Sequence, residues 1–170
     1  MSATVTIAEC NGPAMTPATT NSVTNSNMGS TDAPNLVAAS YPITAGQNSY
    51  EKWQKYLVTN MGGSSKIKTL KTWTSAVLAT GATMYTSATP DNGYHAPTPY
   101  AAPTANASTA ATFAISQATP ASANVGIGGA LNGEITAVGE SDFVVYQIKT
   151  ASSAVAGTTV TLNYQYDEVA

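Results

Sequence analysis

A chain of 170 residues fits one domain of ordinary size and is long enough to bury a core without staples. Only 9% of its residues are Asp, Glu, Lys or Arg, against about 25% in an average soluble protein, and all six basic residues are Lys. With no Arg for bidentate phosphate or base contacts, and a formal charge of −3, the composition argues against nucleic acid and anionic membranes as partners. Thr, Ala, Ser, Asn and Gly take the place of charge, which suits a surface packed against other proteins.

Residues 3–8 alternate, with Val5 and Ile7 on one face and Thr4, Thr6 and Ala8 on the other, and predict a short strand. Residues 11–35 are Thr, Ser, Asn, Pro and Gly with almost no large apolar side chain, so they form no core of their own. They read either as a loop laid across the domain or as an arm ordered by a neighbour. The chain therefore divides into residues 1–35, a strand and extended arm, and residues 36–170, the folded domain. On that division, removal of residues 1–30 leaves a folded domain that assembles poorly.

Residues 49–60 (SYEKWQKYLVTN) fit a helical face through Tyr50, Trp53, Tyr56 and Leu57, with Ser49 as N-cap. Alternation fits too, and the enrichment in Tyr, Trp, Val and Thr favours a strand. Residues 66–73 predict an exposed strand whose Lys66, Lys68 and Lys71 guard a free edge against unwanted pairing. Residues 82–87 and 112–117 are further strand candidates, separated by an Asp91-Asn92-Gly93 turn and a Pro/Ala-rich loop over 96–103. Residues 143–149 and 159–166 alternate clearly. The Ser/Ala/Gly connection around Ala156-Gly157 predicts that they form an antiparallel hairpin. Seven or eight short strands without an amphipathic helix predict an all-β fold, a single immunoglobulin-like antiparallel β-sandwich with an extended N-terminal arm.

Catalytic chemistry is poorly supplied. His95, the one histidine, lies in a Pro/Ala/Tyr-rich loop, and no Gly-x-Ser-x-Gly elbow accompanies it. One Cys and one His do not make a structural zinc site, and Cys10, alone, forms no intramolecular disulfide and reads as a buried or unused thiol. Glu140, Asp142, Asp167 and Glu168 form two close pairs that the expected hairpin would gather at one end of the sandwich, where calcium is one possible ligand and solvation the plainer reading. Residues 126–133 (GIGGALNG) lack the Lys-Ser/Thr of a phosphate loop and read as a flexible connection. Asn106-Ala107-Ser108 matches a glycosylation acceptor without an export signal beside it. Exposed Trp53, Trp73 and Tyr100 would offer a sugar-stacking platform, whereas paired aromatics in core and interface are the commoner use. No catalytic, cofactor or metal residue is assigned.

The stretch NSNMGSTDAPNLVAASYPITAGQNSYEKW, residues 25–53, resembles N-terminal segments of virion structural proteins of tailed bacteriophages. The stretch SDFVVYQIKTASSAVAGTTVTLNYQYDEV, residues 141–169, is similar to the closing hairpin of immunoglobulin-like sandwiches in the same proteins. The resemblance implies a non-catalytic subunit, expected as a capsid decoration (cement) protein on the major capsid protein lattice, with a neck or tail component as the alternative. It implies a homo-oligomer made in the host cytoplasm and located in the virion. A carbohydrate-binding or adhesin module is the alternative of a different class.

Overall fold

The computed structural model describes residues 2–89, 99–155 and 159–170. Among the described residues ten strands form two antiparallel sheets: β1 (Thr4–Asn11), β2 (Ala18–Thr20), β3 (Lys52–Asn60), β4 (Lys66–Thr74), β5 (Ala82–Thr86), β6 (Phe113–Ala114), β7 (Glu134–Ile135), β8 (Gly139–Glu140), β9 (Val144–Thr150) and β10 (Leu162–Val169). The large sheet runs β2-β1-β3-β9-β5-β6, with β8 also on β3, and the small sheet runs β10-β4-β7. A single 3₁₀ turn, Ala38–Ser40, is the one helical element among the described residues. The architecture is all-β and sandwich-like, as the strand pattern predicts.

The shared core is supplied from both sheets. Tyr56, Val58, Val144, Tyr146 and Met84 of the large sheet meet Ile67, Leu70 and Ile135 of the small one. Hydroxyls tie the layers together: Tyr146 Oη lies 2.7 Å from Thr72 Oγ1 across the gap. A second cluster, Trp53, Val145 and Ala111 with Tyr85, Tyr100 and Phe143 against it, covers the outer face of the large sheet. Strands β3 and β9 are thus buried on both faces, which explains why residues 49–60 give an ambiguous period. They form a strand, as the Tyr, Trp, Val and Thr content favours.

The expected hairpin of 143–149 with 159–166 does not form. Strand β9 pairs with β3 and β5, while β10 pairs with β4 in the other sheet. The cause is burial: Val144, Val145, Tyr146 and Gln147 are all buried, so β9 occupies the middle of the large sheet. Strand β10, half-buried at Leu162, Tyr164 and Tyr166 and exposed at Gln165 and Asp167, has one face to hide and lies in the small sheet. Alternation identifies both strands without naming their neighbours.

The lysine strand is likewise not an edge. Strand β4 sits between β10 and β7, and its lysines project from the outer face of a paired strand, Lys66 bonding Glu134 at 2.7 Å. At Thr69 the backbone takes φ 55°, and the register with β10 shifts between Gln165 and Asp167. This is a bulge that places an extra β4 residue against β10.

Residues before 36 are stitched into the domain. Strand β1 lies between β2 and β3, with Ala8 and Glu9 fully buried. Beyond it, the Val23 amide donates to Ile7 O, and the Tyr50 amide donates to Gly29 O, both at 2.9 Å. Asn35, in the left-handed region at φ 53°, accepts the Thr24 amide on its side chain at 2.6 Å. Residues 11–35 thus hydrogen-bond to one another and to strands of the same chain, as Ser26 does to Gln54. The hydrogen-bond network has no break at residue 35.

Candidate functional site

The four carboxylates singled out from the sequence are not gathered at one site. Glu140 pairs with Lys55 at 2.6 Å, and Asp142 Oδ2 accepts the Gly129 amide at 2.9 Å. Glu168 accepts the Ala3 amide at 2.8 Å and the Ser64 hydroxyl, and these two donors hold its carboxyl below the usual carboxylate range, Ser64 most strongly. Asp167 faces Lys68 across the β4–β10 ladder. With β9 and β10 in different sheets, the premise for a four-carboxylate calcium site fails, and no group of three or more His, Cys, Asp or Glu among the described residues is placed to hold a metal. His95 and the Asp91-Asn92-Gly93 turn lie outside the described residues, as do Ala156 and Gly157.

Residues 127–130 close a two-residue turn: Ile127 and Ala130 exchange backbone hydrogen bonds around Gly128 (φ 59°) and Gly129 (φ 82°). Two consecutive positive φ angles are the type I′ geometry that suits glycine, so these glycines make a hairpin corner. Trp53 is 1% exposed, packed edge-on to Tyr100 and Phe143 at 5.5 and 5.7 Å, and its indole N–H donates to Glu51 at 3.0 Å. It cannot stack on a sugar. Trp73 is half-buried, and Cys10 is buried with its sulfur 3.3 Å from Thr19 Oγ1.

Two features emerge that the sequence did not single out. The first is a groove of about 1080 Å³ between the sheets, lined by Val5, Ile7, Met84, Ile148, Leu162 and Tyr164 among others. It exists because a three-stranded sheet cannot cover a seven-stranded one. One wall is β10, which among the described residues pairs only with β4, so its other edge carries backbone groups without a strand partner. Tyr41 and Val155 belong to the groove's lining, and 43% and 59% of their surface is exposed. Val37 and Val77, also exposed, are chain neighbours of the lining residues Ala38 and Leu78.

The second is a buried polar cluster at the β1–β3 end of the core. Glu9 accepts Lys52 Nζ at 2.8 Å, Gln54 Nε2 at 2.7 Å and Asn11 Nδ2 at 3.1 Å. Lys52 Nζ also donates to Ala33 O at 2.6 Å, and Asn11 Nδ2 to Asp32 at 2.7 Å. Tyr164 donates its hydroxyl to Gln54 Oε1 and reaches Ser26 Oγ at 3.2 Å, which links β10 to the cluster. Burial raises the Tyr164 hydroxyl well above its ordinary pKa, so it remains a donor at any physiological pH. A signal for this cluster was present: Glu9 and Asn11 continue the phase of Val5 and Ile7, and Lys52 and Gln54 that of Tyr56 and Val58. Polar residues in phase with a buried face must be paired.

Compared with protein-family models, with curated proteins and with solved structures, the chain matches none.

Proposed function

We propose that this chain is a non-catalytic structural subunit of a bacteriophage virion, acting as a capsid decoration protein that binds the major capsid protein lattice and stabilises the head. The observation that carries the assembly role is the groove beside β10: a trough between the sheets with apolar side chains such as Ile7, Met84 and Leu162 in its lining, exposed side chains at its rim, and a strand edge without a strand partner. An extended segment of a neighbouring subunit fits such a site. It adds a strand to β10 through backbone hydrogen bonds and places alternate apolar side chains in the trough. The sparse charge supports this, because little desolvation of ions opposes burial of the surface. We read the two-sheet architecture as immunoglobulin-like, assembled as a homo-oligomer about a local symmetry axis of the shell.

Binding only the mature shell stabilises that shell by mass action. The test is to strip the protein from particles and compare release of DNA on heating with and without protein added back. Release at the same temperature in both samples contradicts the cementing role. Copy number separates the head from the neck or tail alternative: many copies for a shell protein, a single ring for a neck part.

A further inference from the structure

We propose that Lys52 and Asn11 join through an intramolecular amide bond, with Glu9 carrying the proton. Three observations place the chemistry. Lys52 Nζ and Asn11 Nδ2 both donate to the same oxygen, Glu9 Oε1, at 2.8 and 3.1 Å. All three residues are secluded: Glu9 is 0%, Lys52 1% and Asn11 6% exposed. Asn11 Oδ1 is a buried acceptor without a hydrogen-bond partner. The β1–β3 register holds the residues in place, since Cys10 faces Trp53 and the next step of the ladder sets Asn11 beside Lys52.

A buried amine next to a carboxamide, with a carboxylate touching both, is the arrangement needed for acyl transfer to nitrogen. Lys52 gives a proton to Glu9, and the neutral amine attacks Asn11 Cγ. The adduct places negative charge on Oδ1. Glu9 then passes its proton to Nδ2, the Cγ–Nδ2 bond breaks, and the nitrogen leaves as ammonia while Glu9 takes the second proton from Nζ. One Nζ–Cγ bond forms, one Cγ–Nδ2 bond breaks, one ammonia is released, and Glu9 ends protonated. Its O–H is then free to donate to the amide oxygen, the former orphan Oδ1. No oxidant, metal or co-reactant enters. Exclusion of water protects the adduct from hydrolysis to aspartate.

The neighbouring residue supplies a rival reaction. Asn11 precedes Gly12, and attack of the Gly12 amide on Cγ also releases ammonia, giving a succinimide. In the fold the Gly12 amide donates to Asp32 Oδ2 at 2.7 Å, which engages it elsewhere. Trypsin distinguishes the two products. The chain has no Arg, and Lys52 is its first Lys, so residues 1–52 form one tryptic peptide when Lys52 is free. An amide on Nζ blocks that cut and moves it to Lys55.

The experiment is the intact mass of the folded, purified full-length protein, followed by digestion after denaturation. The expected result is a mass one ammonia below that of the sequence, and a peptide 1–55 lacking one ammonia, with fragment ions linking residues 11 and 52. The full sequence mass overturns the proposal. So does loss of ammonia with normal cleavage at Lys52, which is the succinimide, or a gain of the mass difference between Asn and Asp, which is hydrolysis. A Glu9→Gln variant that folds is expected to keep the full mass. If it forms the same link, Glu9 is not the proton carrier. The wild-type measurement decides the bond itself without any variant.

Discussion

The hydroxyl of Tyr56, carried on the large sheet, lies in the break between two strands of the small sheet: it donates to Lys71 O at 2.5 Å and accepts the Gln165 amide at 3.2 Å. The bulge at Thr69 opens the β4–β10 ladder, and a side chain from the opposite layer closes it. Tyr56→Phe keeps the ring and leaves these backbone groups unpaired in the core. It is expected to cost about 1–3 kcal/mol, read from the midpoint of chemical denaturation. An unchanged midpoint would show that the ladder does not need the bridge.

The same residue predicts an alkaline limit. Burial raises the hydroxyls of Tyr56, Tyr146 and Tyr164 above the ordinary tyrosine value of about 10. A raised acid group is protonated in the fold at a pH where it ionises in the unfolded chain. Its contribution is therefore complete below about 10 and falls as pH climbs past that value toward the folded pKa. Stability followed from pH 7 upward should stay level with respect to these groups and then drop beyond about 10. Phenolate absorbance should rise together with loss of structure. Phenolate absorbance rising fully while the fold stays intact contradicts the buried assignment.

Deletion of residues 1–30 removes β1, which pairs along β3, and takes Glu9 away from Lys52 and Gln54. Loss of the strand that pairs along β3, and of the partners of a buried lysine, is expected to rival the roughly 5–15 kcal/mol that holds a typical domain together. The truncated chain should lack a cooperative thermal transition. A cooperative melt would show that the fold begins after residue 30, as composition alone suggests.

Thr69 is a β-branched residue at φ 55°, where side chains clash with the backbone. Thr69→Gly removes that strain and is expected to raise stability by up to about 1 kcal/mol, offset in part by the greater freedom of glycine in the unfolded chain. A loss of stability in the denaturation curve would mean that the threonine side chain holds the bulge.

At the rim of the groove, Val155 is 59% exposed, and Val138, which does not line it, is 65% exposed. Val155→Asp should leave the melt within about 0.5 kcal/mol of wild type while weakening attachment to particles; Val138→Asp should affect neither. Equal attachment of the two variants in a pelleting assay counts against the groove.

Much of the fold was legible in the sequence because alternation is local: Val144 to Lys149 and Leu162 to Tyr166 announce strands by themselves. Their partners were not legible. Pairing depends on which strand has two faces to bury, and the cover over Val145 and Gln147 comes from residues near 104–111, far away in sequence. The lysines of β4 look like edge guards for the same reason, since their outward projection is visible and the neighbouring strands are not. The groove depends on the unequal width of the sheets, which no local pattern encodes. The Glu9–Lys52 cluster was within reach, because its residues continue two apolar faces in phase. Ending the first strand at Ala8 conceals it.

The central claim, that the chain stabilises a capsid from outside, is tested most directly by heating particles stripped of the protein beside the same particles after it is added back. Release of DNA at a higher temperature on re-addition, with the protein bound in many copies over the shell, is the predicted result. Identical release temperatures with the protein bound, or a single ring of copies at one vertex, would contradict it.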